Sequence, residues 1–286
     1  MLERVDRMQV AVRDRAQAAD TYARLLGGAL AREADSTHLN AAIAVVSVGE
    51  SEFELCEPKG PGPVADHLAR WGEGLMCAGY ATSTPDALAE RLERLGAAFV
   101  REGDRLYLPG SSTAGFPMVV SPRAARPRVG PVSFLYEATN TLDSDWRTVA
   151  ARYVELFELD ASRFSPISSQ RFGYEGTLTL FDPPARLDRI ELSQTFADRP
   201  SAMRRFVEKR GGDSLYMCYV EAWDFDGLKA RLLQAGAGLT PRGADIADEH
   251  DGLWVHPRSL HGLLLGVSRT SFAWEWSGRP ELIQPR

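Results

Sequence analysis

Hydrophobic and polar residues alternate with period two near the start of the chain, in Val5-Asp6-Arg7-Met8-Gln9-Val10-Ala11-Val12. Met8, Val10 and Val12 fall on one face and Arg7, Gln9 and Ala11 on the other, which predicts a strand with a core-facing side. A helix is predicted over 18–26, where Tyr22, Leu25 and Leu26 make one stripe before Gly27-Gly28 stops it. Strand-like runs come next and end in Phe53-Glu54-Leu55-Cys56-Glu57-Pro58. The pattern restarts at Gly74, with a strand over 75–82. After it comes a helix in which Thr84 can cap, Pro85 suits the first helical position, and Leu88, Leu92 and Leu95 line one side before Gly96.

The second half repeats this order. At an offset of 140, residues 215–222 give the strand, Leu228, Leu232 and Ala235 the helical stripe and Gly236 the stop, so that LGA at 95–97 and AGA at 235–237 fall in register. A further unit runs from Val132 through a helix carrying Trp146, Val149, Ala150, Tyr153 and Leu156 to Arg189-Ile190-Glu191-Leu192. Between the halves, Pro122 to Pro131 (PRAARPRVGP) interrupts the apolar pattern with three prolines and three arginines and reads as an extended linker. The expected organisation is a first domain over 1–122, a linker over 123–131, a second domain over 132–268 and a tail over 269–286 that carries Trp274 and Trp276. Four related units of about sixty residues, grouped two and two, predict an α+β architecture built by repetition.

Composition agrees with this and narrows the class. A chain of 286 residues fits two domains at about 150 residues each. With 44% hydrophobic and 25% charged residues it can build a sizeable core, which argues against disorder. A formal net charge of −6 offers no basic field for a phosphate backbone, so nucleic acid is not an expected partner. The longest uncharged apolar stretch, His38 to Gly49, is far short of the about 20 residues that span a bilayer, and the charged MLERVDR start lacks a signal core. Cys56, Cys77 and Cys218 show no CxxC spacing, so neither a disulfide framework nor a structural zinc site is indicated. A soluble cytoplasmic protein with a small-molecule partner is expected.

The segments VDRMQVAVRD, FELCEP, GLMCAGYAT with TPDALAERLERLGA, RIELSQ and WVHPRSLHGLLLGV, in this order and spacing, resemble the vicinal oxygen chelate superfamily. That superfamily includes glyoxalase I, methylmalonyl-CoA epimerase, extradiol dioxygenases and bleomycin-resistance proteins. The resemblance covers nearly the whole chain and implies βαβββ modules that pair into cupped sheets around a small-molecule site. Four modules would make two cups. Members that do metal chemistry carry His, Glu or Gln, His and Glu at four points of a cup. In this sequence the corresponding positions hold Arg7, Glu54, Cys77 and Val119 in the first cup, and Ser133, Glu191, Met217 and Gly266 in the second.

One carboxylate therefore remains in each cup and the imidazoles are gone. Arg7 cannot give up its proton and would repel a cation, and Ser133, Glu191 and Met217 are a poor ligand set, so no metal and no cofactor is expected. Should a metal bind, Glu191, His256 and His261 would be its ligands. Glu54 reads either as a base or substrate anchor held by Arg7, or as a carboxylate merely paired with it. Glu191, in an apolar cup with Met217 and Tyr219, would have a raised pKa, as proton abstraction requires, unless Arg189 or an arginine of 203–210 pairs with it. Arg7, Cys77, Ser133, Met217, Tyr219 and His38 are the expected substrate contacts, although Cys77 is also an ordinary small core residue.

Two readings of function stand. One is a lyase or isomerase without the usual metal, using Glu191 or Glu54 as proton acceptor on a carbonyl, anionic or aromatic molecule. The other is a ligand-sequestering protein of the antibiotic-binding kind, with a metal-dependent glyoxalase or dioxygenase using non-standard ligands as a third. A homodimer is a further expectation, with the tail tryptophans packing on the body or across the dimer.

Overall fold

A computed structural model describes residues 1–242 and 250–285. The first half runs β1 (Arg4–Ala11), α1 (Arg15–Leu26), β2 (Ala29–Ser36), β3 (Ala41–Val48), β4 (Ser51–Pro58), α2 (Pro63–Trp71), β5 (Gly74–Thr82), α3 (Pro85–Arg94), β6 (Val100–Glu102), β7 (Arg105–Leu108) and β8 (Met118–Pro122). The second runs β9 (Val132–Leu142), α4 (Trp146–Phe157), β10 (Ser165–Ser169), β11 (Tyr174–Leu178), β12 (Arg189–Thr195), α5 (Ala202–Arg210), β13 (Ser214–Ala222), α6 (Phe225–Gln234), β14 (Leu239–Pro241), β15 (Gly252–Val255) and β16 (Leu265–Arg269). The first helix begins three residues before the expected start, because Asp14 caps it by accepting from the Gln17 amide. Helix α2 has no counterpart in the sequence reading: its buried face is only Val64 and Leu68, too short a stripe to stand out.

Each half folds its strands into one eight-stranded sheet, in the orders β2-β3-β4-β1-β5-β8-β7-β6 and β10-β11-β12-β9-β13-β16-β15-β14. The orders are the same once each strand is matched to its repeat. In both, the first strand lies at the centre, parallel to the fourth (β1 on β4, β9 on β12) and antiparallel to the fifth (β1 on β5, β9 on β13). The architecture is α+β, with four βαβββ modules paired into two cupped mixed sheets.

The period-two alternation of β1 explains how the sheets meet. Met8 and Val10, on one face, join Leu135, Ala138 and Val220 of the second sheet, and Tyr22, Leu88, Tyr153 and Leu228 of the helices, in one continuous core. Both concave faces look away from it and carry separate clusters. In the first, Ile43, Val45, Cys56, Cys77, Tyr107 and Val119 meet; in the second, Tyr136, Leu178, Met217, Tyr219 and Trp274 do. Polar ties also cross between halves: Tyr153 donates to the Thr113 carbonyl at 2.8 Å, and the Val5 amide to Asp188 at 2.7 Å. Among the described residues no helix is long and apolar enough to cross a membrane.

Candidate functional site

A β-bulge shapes the floor of each cup. In the β1–β5 ladder Val5 pairs with Tyr80 and Arg7 with Gly79, so that Asp6 is an extra residue. In the β9–β13 ladder Leu135 pairs with Val220 and Glu137 with Tyr219, so that Tyr136 is the extra one. An extra residue reverses the facing of the strand beyond it, so Val5 and Leu135 lie in the shared core while Asp6 with Arg7, and Tyr136 with Glu137, belong to the cups.

The register fixes which positions correspond. Across the parallel ladders Arg7 faces Glu52 and Gln9 faces Glu54, just as Glu137 faces Arg189 and Thr139 faces Glu191. Across the antiparallel ladders Cys77 corresponds to Met217, and Val119 to Gly266. The position matching Arg7 is therefore Glu137 and not Ser133, which lies four residues earlier as the extra residue of a second bulge between Val132 and Phe134, with its carbonyl accepting from the Glu50 amide at 2.8 Å.

In the first cup the carboxylates are neutralised. Glu54 accepts from Arg7 Nη1 at 2.8 Å, Arg105 Nη2 at 2.9 Å and Gln9 Nε2 at 2.8 Å. Burial would raise its pKa, but the charges of Arg7 and Arg105 outweigh burial and hold the carboxyl below the usual range. Arg7 also binds Asp6 at 2.6 Å, and Arg126, from the segment after β8, pairs with Asp6 and reaches Glu52 at 3.2 Å. Gly79 is needed here, because a Cβ would collide with the Arg7 stem. Cys77 is buried, which pushes its thiol far above the normal range and makes it a core group rather than a nucleophile. His38 lies against Tyr107, with ring centres 4.6 Å apart.

The second cup inverts the pair. Glu137 sits where Arg7 does, Arg189 where Glu52 does, and Arg189 Nε donates to Glu137 Oε2 at 2.6 Å. Arg189 is thus committed to Glu137, not to Glu191 as the sequence alone allows. Glu191 accepts from Thr139 Oγ1 at 3.2 Å and from the Ser193 hydroxyl. Burial, with the neighbouring Glu137 carboxylate adding to it, raises the Glu191 pKa to about 8. Glu191 keeps 9% of its surface accessible whereas Glu54 keeps 0%, so only the former can meet a molecule in its cup without rearrangement.

Aromatic groups wall this cup. The Tyr219 ring lies over Gly266, where any Cβ would strike it, and its hydroxyl accepts from Trp254 Nε1 at 2.9 Å. Tyr136 stands 5.9 Å from Tyr219 and stacks on the Arg189 guanidinium at 4.8 Å. The tail packs inward: Trp274 is buried in the cluster with Tyr136, Met217 and Tyr219, and Arg189 Nη1 donates to Ser277 Oγ at 2.6 Å. Neither His256 nor His261 joins Glu191. His256 bonds Thr240 at 2.7 Å, and His261 bonds Glu73 at 3.0 Å in the other half.

The fold family implies a metal ion at the four compared positions, and the donors here do not fit one. Arg7, Cys77 and Val119 accompany a neutralised Glu54 in the first cup, and Met217 and Gly266 accompany an Arg-paired Glu137 in the second. Among the described residues no three His, Cys, Asp or Glu side chains come together to hold a metal. Sequence reasoning missed Glu137, Arg105 and Arg126, and it named Arg189 only as a partner for Glu191. The signal available for Glu137 was its place in YEATN ahead of RIEL, which matches that of Arg7 in DRMQV ahead of FEL.

Residues 6–114 match the family described as the Glyoxalase/Bleomycin resistance protein/Dioxygenase superfamily. The whole chain superposes on a mutant of 4-hydroxymandelate synthase from Streptomyces coelicolor, with TM-score 0.73 and 14% identity over 98% of both chains. It also superposes on a xylose isomerase-like TIM barrel/4-hydroxyphenylpyruvate dioxygenase fusion protein, with TM-score 0.63 and 11% identity over 94% of this chain and 49% of that one. A methylmalonyl-CoA epimerase in complex with methylmalonyl-CoA aligns with 44% of this chain at 21% identity and TM-score 0.40. A comparison with curated protein sequences returns no match. These identities speak for the fold alone; the family match covers residues 6–114, and the same modules are repeated in the second half.

Proposed function

We propose that the second cup is the reactive one, and that the protein is a lyase or isomerase that moves a proton on a small carbonyl-bearing molecule. The observation behind this reading is Glu191, a buried carboxyl with its pKa raised to about 8, beside a second carboxyl, Glu137, that is paired with Arg189. A base whose pKa lies near the working pH combines a useful ionised fraction with real basicity. Ionised Glu191 would take the proton from carbon adjacent to the carbonyl. The resulting neutral Glu191 would return it to the neighbouring carbon or to a departing group. Thr139 and Ser193 orient the carboxyl by donating to it. Tyr136, Tyr219 and Trp254 supply an apolar wall that excludes water and suits a planar molecule.

Glu54 is given no such part, because three donors already occupy it. We take residues 1–122 and 132–268 as the two domains, with the first contributing a rigid support. The sequestering reading draws on the same aromatic wall, and it differs in leaving the bound molecule unchanged. The deciding experiment tracks deuterium uptake by a panel of small ketones and keto acids in D2O by NMR. Glu191→Gln is expected to abolish uptake and Glu54→Gln, if folded, to retain it. Uptake that survives in Glu191→Gln overturns the assignment, and no uptake by wild type with unchanged compound recovered favours sequestration.

A further inference from the structure

Arg242 comes directly after β14, and its amide donates to the Gly252 carbonyl at 3.1 Å, which fixes it at the rim of the second cup. Its guanidinium lies 3.6 Å from the Trp276 ring centre, 5.7 Å from that of Trp254 and 6.0 Å from that of Phe272. Three aromatic faces stabilise the cation without neutralising it. Among the described residues no carboxylate pairs with Arg242, and its Nη1 is buried with no hydrogen-bond partner. An unmatched guanidinium nitrogen in a dry setting is unusual and is relieved by an oxygen acceptor.

The contacts of Arg242 lead into the cup. Trp254, which Arg242 overlies, donates to Tyr219, and Tyr219 is near enough to Arg242, Glu137 and Glu191 to feel the charge of all three. Deeper in, Arg189 is wholly buried, with Nε on Glu137, Nη1 on Ser277 and Nη2 without a partner. The first cup contrasts with this, since Arg7, Arg105 and Arg126 there all end on carboxylates. Two guanidiniums thus have an unpartnered nitrogen each, Arg242 over Trp254 and Arg189 over Tyr136.

We infer that Arg242 anchors an oxyanion group of the molecule that the second cup takes, and that this molecule is a small planar organic acid. Its carboxylate or phosphoryl group meets Arg242 Nη1 at the rim, on the side of the aromatic wall. The choice of cup rests on the proposed function above, but the anion preference is a binding property and can be tested apart from turnover. Arg242 is then a specificity-determining residue, one that neither motif nor composition indicated.

The test is calorimetric titration of the full chain with benzoate, phenyl phosphate and benzamide, which share a ring and differ in charge. Wild type is expected to bind at least one of the two anions tenfold or more tightly than benzamide, and which anion it prefers tells carboxylate from phosphoryl. Arg242→Gln is expected to remove that preference and Arg242→Lys to keep part of it, with the thermal midpoint showing that each variant is folded. Benzamide binding as well as the anions, binding of neither anion, or a folded Arg242→Gln that keeps the preference overturns the inference. If Arg242→Gln loses the preference while Glu191→Gln still exchanges protons, the anchor stands and the proton-transfer role falls.

Discussion

Arg7 and Glu137 occupy the same place in the two halves and carry opposite charge. Each stands just past a bulge on the central strand, and each faces a partner of the other sign across a parallel ladder, Glu52 for Arg7 and Arg189 for Glu137. The exchange decides the state of the carboxylate two positions along. Beside Arg7, Glu54 is held ionised and enclosed; beside Glu137, Glu191 is driven toward its neutral form. One ion pair turned end for end thus leaves the Glu54 pKa lowered in one cup and the Glu191 pKa raised in the other.

The first cup should fail when its central cation is lost. Arg7→Met removes one of two guanidiniums from Glu54 and one from Asp6, leaving buried negative charge short of compensation. Breaking a buried pair from one side costs about 3–5 kcal/mol, whereas replacing both members by apolar groups is often neutral. Urea unfolding of Arg7→Met should therefore show a much lower midpoint, and Arg7→Met with Glu54→Leu should recover most of it. A single variant as stable as wild type would remove the network from any structural role.

The two cups should respond oppositely to pH. The pKa values of Glu54, Glu52 and Asp6 are depressed by folding, so the stability they contribute is present above the ordinary carboxylate range and is lost as pH falls through it. That of Glu191 is raised, so its contribution is complete below its ordinary value of 4.5 and is lost as pH rises toward about 8. Glu191→Gln should flatten the decline in unfolding free energy across that window, which has a limiting slope of about 1.4 kcal/mol per pH unit for one proton. If Glu191 acts as a base, turnover should climb through the same window and level off above pH 8. A wild-type stability profile that Glu191→Gln leaves unchanged would place the Glu191 pKa near its ordinary value.

The modular order was legible because it rests on local signals. Period two in β1, leucine stripes before Gly96 and Gly236, and the matching LGA and AGA all report backbone geometry that neighbouring residues dictate. The site was only half legible. Glu54 and Glu191 fall in the cups at places where alternation holds without interruption, and Met217 and Tyr219 do so past a bulge at Tyr216. Glu137 escaped because a bulge is set by ladder pairing with β13, and nothing in Phe134-Leu135-Tyr136 announces it. Arg105, Arg126 and Arg242 come from segments far along the chain, and only closure of the sheets brings them to the cups.

Added metal should do nothing for this protein. Iron, zinc or manganese entering the second cup would have to take Glu137 from Arg189 and bind beside Met217 and Gly266, which offer a thioether and no donor. Thermal unfolding with each ion in excess should match that with chelator, and elemental analysis of untagged protein should find no stoichiometric metal. Stoichiometric iron or a raised midpoint would show that donors outside this set are used.

Gly266 gives the sharpest separation of stability from function. It leaves room for the Tyr219 ring to lie over the strand. A Cβ at 266 meets that ring, and the ring cannot move without disturbing its bond to Trp254 or its packing against Tyr136. Gly266→Ala should therefore swing Tyr219 toward Glu191 or out of the cup, and overpacking of this kind costs about 1–3 kcal/mol. Turnover or ligand affinity should fall by more than that loss explains, because the displaced ring wets the carboxyl and returns the Glu191 pKa toward 4.5. The double variant Gly266→Ala with Tyr219→Ala should regain stability and not function. If Gly266→Ala alone keeps both, the aromatic wall has no part in setting the acidity of Glu191.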